Sequence, residues 1–375
     1  MSAQLLAFRE IRRVPARFAL LVCSVALLAF LVVIQQGLLA GLVRQMNGGL
    51  RASDADLYVL GDTAEGALPA SAVPDAAVGV ARSVAGVADA GSVRFGSATV
   101  LVAGAETEVT LVGLDPGRPG GPARMVGGTA LAADGEALIS AADAGPDLAP
   151  GATVHARPAD RPLRIVGLGG DANLGVIPTL YVPTATFVEL AREQRPSALT
   201  PPPRSAVAVQ LAGGADAAAV ATALRHAIGG VDVLTRAQAA DAFPGVKEVT
   251  HSFSVILTLL GIVVALVAGL FFMILTAQKA PTLTLLRASG LPARTLVTTL
   301  LLQVAAVVGG GAALGAIAAV ALLSGADVGF DAGVGARGAT LSIVSMTVLA
   351  LVAALVPVRR ILRIDPAAAL VGGAP

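Results

Sequence analysis

FSVILTLLGIVVALVAGLFFMILTAQKAPTLTLLRASGLPARTLVTTLLLQ (residues 253–303) sets two long apolar runs on either side of a short stretch, 278–294, that carries Lys279, Arg287, Arg294, two prolines and Gly290. The flanking runs contain no Asp, Glu or Lys. A helix rises ~1.5 Å per residue and a bilayer's hydrocarbon core is ~30 Å thick, so roughly twenty such residues suffice to cross it. Four runs of the chain have that character: 18–43, 253–277, 295–323 and 340–358. They account for a chain of 375 residues that is 55% apolar, 14% charged and has a mean hydropathy of +0.79, values that place it in a membrane.

The first run follows a basic segment, as a signal peptide would. Its apolar stretch is too long for a signal peptide, and no small-residue cleavage site follows cleanly, so it is read as an uncleaved anchor. Cys23, the only cysteine, lies inside it and is expected to be a small packing residue. Arg9, Arg12, Arg13 and Arg17 precede the first run, and Arg359, Arg360 and Arg363 follow the fourth. With the cations of 278–294 they place both termini and the central loop in the cytoplasm by the positive-inside rule. The segment 44–252, between the first and second spans, then lies outside.

These readings give an organisation. Residues 1–17 form a cytoplasmic amphipathic N-terminal helix, 18–43 the first span, 44–252 the external domain and 253–277 the second span. Next come 278–294 as a cytoplasmic loop or helix, 295–323 as the third span, 324–339 as a short external loop, 340–358 as the fourth span and 359–375 as a cytoplasmic tail. Within the domain, DADLYVL (54–60) alternates as a strand does, and AVPDAAVGVARSVAGV (72–87) has helical spacing with Pro74 near its start. VRFGSATVLVAG and EVTLVGLD continue as strands. The order recurs in AVAVQLAG (206–213), DAAAVATALRHAIGG (216–230) and VDVLT (231–235), so the domain reads as two related α/β halves. Between them GEALIS, GATVHARPADRPLRIVGLGG and TLYVPTATFVEL read as short strands of a β-rich insertion, and RPSALTPPPR (195–204) as a stiff connector.

Several kinds of chemistry are missing. The two lysines, Lys247 and Lys279, end no phosphate-binding P-loop, and His155, His226 and His251 are scattered, with no metal-ligand spacing. No nucleophile, carboxylate pair or cofactor box emerges, and Asp54 and Asp56 read as solvated strand-edge residues, which makes a tethered external enzyme the weakest reading. The apolar runs hold no ionisable relay of the kind an ion-driven carrier keeps. In GGGAALG (309–315), Gly311 and Gly315 form a small-xxx-small pair suited to close helix packing, although general Gly and Ala enrichment explains the run as well.

In the central loop, TLTLLRASG offers a short cytoplasmic docking helix; the alternative, a tight connecting turn with solvated cations, needs neither three leucines nor this length. Leu283, Leu285 and Leu286 lie on its apolar side, Arg287 projects, and Gly290 stops it. LTLLRASGLPARTLVTTLLLQ (283–303) resembles the central signature of FtsX-like ABC-transporter permeases of the MacB type, with Arg287, Ala288 and Gly290 on the matching positions. The tail VRRILRIDPAAAL is similar to that family's closing pattern, and the one-plus-three layout of spans matches throughout. Thr282 and Pro281 stand where the family often has charge, which favours an apolar contact.

The resemblance implies an α-helical membrane protein with four transmembrane helices plus an α+β extracytoplasmic domain of two porter-like α/β halves and a β-rich insertion. It implies a permease subunit, not an enzyme, with ATP and Mg in a separate ABC ATPase that contacts Leu283, Leu285, Leu286, Arg287 and Gly290. Further partners implied are a second permease, as homodimer or heterodimer, membrane lipid, and an external adaptor or substrate protein, with no nucleic acid. The Arg-rich, Ala- and Gly-heavy composition points to a GC-rich bacterium, and hence to its inner or plasma membrane. A non-transporting scaffold that regulates a cell-wall enzyme is the alternative.

Overall fold

The computed structural model describes residues 15–197, 200–278, 292–325, 336–355 and 358–359. The expected N-terminal helix up to residue 14, the centre of the cytoplasmic loop (279–291), residues 326–335 and the tail beyond 359 lie outside these. The chain divides into two compact units, Leu42–Thr250 and the remainder. Helix α1 (Pro15–Arg51) contributes to both.

Along the chain the α/β unit contains β1 (Leu57–Gly61), α2 (Ala77–Ser83), β2 (Val87–Val102), β3 (Ala105–Leu114), β4 (Met125–Gly128), β5 (Glu136–Ser140), β6 (Thr153–Ala156) and β7 (Arg161–Gly169). It continues with β8 (Thr179–Pro183), α3 (Thr184–Gln194), β9 (Ala206–Leu211), α4 (Ala217–Ile228), β10 (Val231–Thr235) and α5 (Arg236–Asp241). All ten strands join one sheet.

The two segments expected to form separate halves interleave. β1 pairs antiparallel with both β9 and β10, and β9 pairs with β2, so the order β10-β1-β9-β2 is that of a single split βαβ unit. Every residue of β1 is buried, because both its faces are covered. Leu57 and Val59 face Val73, Ala77, Ala81, Val220 and Leu224 in the cluster that holds α2 and α4. Tyr58 and Leu60, on the opposite face, join a cluster with Met46, Leu50, Phe243 and Val246. The helix expected over 72–87 is confined to the seven residues of α2, because Val84 is already extended and Val87 enters β2.

The β-rich middle lies between β2 and β9 in sequence, as an insertion would, and shares β2 with the βαβ unit. β2 is 16 residues long and serves both parts: its first half pairs with β9, and its second with β3 and β6. Ala103 and Gly104, both at positive φ, make the tight turn into β3. The pairings β2–β3, β3–β8, β8–β5, β5–β7, β7–β6 and β6–β2 then close a six-stranded barrel, with β4 hanging from β7. Val100, Leu111, Ile139, Val154, Leu163, Ile165 and Leu180 fill one buried cluster of the barrel strands. Residues 184–194, which overlap the segment 179–190 expected to form short strands, instead form α3: Phe187, Leu190 and Ala191 recur at helical spacing and pack on that cluster. Gly113 makes room for the Phe187 ring, since a Cβ there would lie 2.8 Å from that residue's Cβ.

The helical unit contains α1, α6 (Val246–Gln278), α7 (Ala293–Gly325) and α8 (Ala336–Ala353). Among the described residues, three stretches are long and apolar enough to cross a membrane: Phe18–Arg51, Val246–Gln278 and Arg294–Leu323. In α8 the apolar stretch is the shorter Thr340–Ala353. Phe18, Leu21, Val25, Ala29 and Val32 form the buried stripe of α1 at helical spacing. Cys23 lies off this stripe and is exposed, so it is not a packing residue. Leu259, Leu266, Leu270 and Ile274 of α6 are exposed, as a lipid-facing surface would be.

Gly311 and Gly315 lie against α1. A Cβ on Gly311 would come within 3.0 Å of the Val22 carbonyl oxygen, and one on Gly315 would collide with the Ala26 carbonyl and stand 2.8 Å from the Phe30 nitrogen. Gly310, one position away, has nothing within 4 Å. Gly315→Ala is therefore expected to lower stability by about 1–3 kcal/mol through overpacking, whereas Gly310→Ala stays within ~1 kcal/mol of wild type. Thermal unfolding of both variants in detergent checks the contrast.

Candidate functional site: a clasp on the end of the first helix

The last turns of α1 end in the core of the α/β unit. Met46 and Leu50, one turn apart, are buried in the same cluster as Ala239, Ala240, Phe243 and Val246, where α5 gives way to α6. Phe95 meets Phe243 edge-on, with ring centroids 6.0 Å apart. Between Met46 and Leu50 runs Asn47-Gly48-Gly49, which stays helical although two glycines cost a helix about 1 kcal/mol each relative to alanine.

The glycines allow a close approach. A Cβ on Gly48 would stand 2.8 Å from the Asp171 carbonyl oxygen, and one on Gly49 would meet the Tyr181 hydroxyl and stand 2.8 Å from Leu174 Cγ. The loop 171–175 thus lies flush on the helix. Gly49 N–H donates to the Asn173 carbonyl (2.7 Å), and Gly175 N–H to the Met46 carbonyl (2.9 Å). On the other side, the fully buried Asn47 donates its amide to the Ala240 carbonyl at 2.8 Å. Arg51 forms an ion pair with Asp241, and Arg236 donates to the Ser53 carbonyl at 2.8 Å. The end of α1 is held from two directions by backbone contacts, with the exposed ion pair adding little.

Behind the loop is a buried polar group. Asn173 donates to Asp143 Oδ2 (2.9 Å), Thr179 N–H donates to the same oxygen (3.1 Å), and Ser140 Oγ donates to Asn173 Oδ1 (2.6 Å). Tyr181 donates to the Ala172 carbonyl at 2.7 Å. Burial raises the Asp143 carboxyl above its ordinary value of 3.8, and the two donors only partly offset this. Burial also pushes the phenols of Tyr58 and Tyr181 up.

Asp54 and Asp56 are not simply solvated. Asp54 is half-buried and accepts from Gly120 N–H (2.7 Å), and Asp56 accepts from Leu211 N–H (2.9 Å); each ties its strand entrance to a neighbouring backbone. His155 is exposed beside Asp160. Among the described residues no group of three or more His, Cys, Asp or Glu could hold a metal ion. The sequence-predicted contact residues Leu283, Leu285, Leu286, Arg287 and Gly290 lie outside the described residues. Sequence reasoning ended the first span at residue 43 and so missed the clasp; its signal was the Asn-Gly-Gly triplet just beyond.

The family described as the MacB-like periplasmic core domain matches residues 18–227, more than half of the chain. A long apolar helix leading into such a domain defines a membrane permease, and the chain belongs to the FtsX/MacB-like ABC transporter permease family. The α/β unit is its extracytoplasmic domain. Among solved structures, the periplasmic region of MacB from Actinobacillus actinomycetemcomitans is similar with a TM-score of 0.36 and 11% identity, over 49% of this chain and 89% of its own. The extracellular domain of the noncanonic ABC-type transporter YknZ from Gram-positive bacteria gives 0.34 and 16%, over 48% and 98%. No curated protein sequence matches the chain.

Two outcomes follow from the clasp. Asn47→Ala removes the donor to a buried carbonyl and should cost about 1–3 kcal/mol in thermal unfolding of the full chain. For Asp143 the folded carboxyl titrates above 3.8, so its contribution is fully present below the unfolded value and is lost as pH rises through the folded one. Asp143→Asn keeps an acceptor oxygen without the charge. The melting temperature of wild type minus that of the variant should therefore fall as pH rises from below 3.8 toward neutrality.

Proposed function

We propose that the chain is the transmembrane subunit of an exporter or extractor in which a separate ABC ATPase drives movement of the extracytoplasmic domain. The observation that carries this reading is that α1 and α6, which hold two of the long apolar stretches, both have residues in the core of that domain: Met46 and Leu50 from one, Val246 from the other. A tilt of either helix would act on the sheet through these residues, which are part of its packing. Work reaches the domain through helices, and no wide channel is required.

In this mechanism α8 is the fourth span, both termini face the cytoplasm and two permeases form a dimer in a bacterial inner or plasma membrane. Leu283, Leu285, Leu286, Arg287 and Gly290 form the docking element for the ATPase, which holds ATP and Mg. Closure of the ATPase pair moves that element, and the close α1–α7 contact at Gly311 and Gly315 permits small shear between spans. The chain itself performs no chemistry. It biases a two-state domain by the nucleotide state of its partner.

A tagged wild-type protein taken from its own cells in mild detergent should bring a P-loop ATPase with it, and Leu286→Asp and Arg287→Glu should lose that partner while the permease stays dimeric. A dimeric wild type that brings no ATPase removes the motor and leaves a regulatory scaffold as the better account.

A further inference from the structure

The helical unit holds a cavity of about 380 Å³, within the ~300–1,000 Å³ range of small-ligand sites. Its wall comes from three helices: Val32 and Gln36 of α1, Thr258 and Gly261 of α6, and Ser345 and Leu349 of α8. Small residues create the space. Ala29 and Ala312 back part of the wall, and a Cβ on Gly261 would find only Leu349, at 3.4 Å.

The polar groups of the wall share one level. Gln36 lies past the middle of the apolar run of α1, whereas Thr258 and Ser345 lie near the beginnings of the runs of α6 and α8. With α1 crossing in one direction and α6 and α8 in the other, all three fall toward the same membrane face. The hydroxyls are spent internally, Thr258 on the Ser254 carbonyl (2.7 Å) and Ser345 on the Ser342 carbonyl (3.0 Å). Gln36 has one partner among the described residues, the Ser342 hydroxyl. A carboxamide with two N–H groups and that one partner keeps at least one donor unmatched among the described residues, whichever way the amide is turned.

An unmatched donor at that depth calls for an acceptor, and the surroundings decide which. Lipid tails are as apolar as the wall, so a chain entering the cavity gains little from transfer alone, and selection rests on the polar end. The acceptors carried by a bilayer at the edge of its hydrocarbon are ester carbonyls. We propose that the cavity takes one acyl chain of a bilayer glycerolipid, with the ester carbonyl accepting from the Gln36 carboxamide. The occupant fills the gap between α1, α6 and α8 and makes their packing sensitive to lipid. This rests on the reading that these three helices lie in lipid.

The test uses the full chain in nanodiscs of phosphatidylglycerol doped with a phospholipid bearing a diazirine on one acyl chain, with cross-links mapped by mass spectrometry. Labelling of 257–262 and 345–349 should exceed labelling at the exposed Leu266 and Leu270 of the same bilayer-facing surface. It should fall at least fivefold in Gly261→Leu, which fills the space, and severalfold in Gln36→Leu, which keeps the volume and removes the donor. Leu266 and Leu270 should label equally in all three proteins. Should Gly261→Leu fail to fold, the Gln36→Leu comparison decides. Cavity walls labelled no more than Leu266, or labelling unchanged in Gln36→Leu, overturns the proposal while leaving the membrane reading intact. Absence of labelling at Leu266 and Leu270 as well overturns both. A Leu349→Cys cross-link between two copies, with the walls unlabelled, assigns the cavity to the dimer and likewise overturns it.

Discussion

Two glycines on one face of α1 let a loop carbonyl lie against a helix backbone, and the attachment of this domain to its first helix depends on that close approach. With any side chain at Gly48 or Gly49 the loop 171–175 would have to lift, and the bonds from Gly49 and Gly175 would go with it. Released from the loop, Met46 and Leu50 would still be apolar, but their orientation in the cluster they share with Phe243 and Val246 would rest on the contacts of the other side alone, chiefly the Asn47 bond to the Ala240 carbonyl. Hydrophobic burial supplies most of the favourable free energy here, and the backbone contacts supply the geometry.

The domain's architecture places this junction. β2 belongs to both the split βαβ unit and the barrel, so the two parts share a backbone and cannot hinge freely about a linker. The barrel side supplies the loop 171–175 and Tyr181, while the βαβ side supplies β1, α5 and the start of α6. α1 ends where both converge. Both parts of the sheet therefore contact the end of the helix.

Much of this was legible in the sequence, for reasons that differ by element. The apolar runs are read by length alone, and strands such as 206–211 and 231–235 by their alternation and flanking glycines. Local pattern could not show that the two α/β segments interleave, because pairing between residues such as Leu57 and Val209 is a tertiary choice. α3 was missed because TLYVP begins as a strand and Phe187 and Leu190 only then take up helical spacing. Asn47-Gly48-Gly49 resembles a helix stop, and only the loop opposite explains why the helix continues. Asp54 and Asp56 show the same limit: a carboxylate near a strand reads as solvated until the backbone N–H it accepts from is located.

Nucleotide-driven motion is proposed to reach the domain through the clasp. Its most direct test is pulsed EPR on the permease dimer bound to its ATPase, with Cys23→Ser removing the native thiol and a spin label at Ala223→Cys on the exposed side of α4. The interspin distance distribution should shift between the nucleotide-free and ATP-trapped states, and Gly48→Ala should abolish the shift while the ATPase stays bound. Identical distributions in the two states, or a shift that survives Gly48→Ala undiminished, would contradict it.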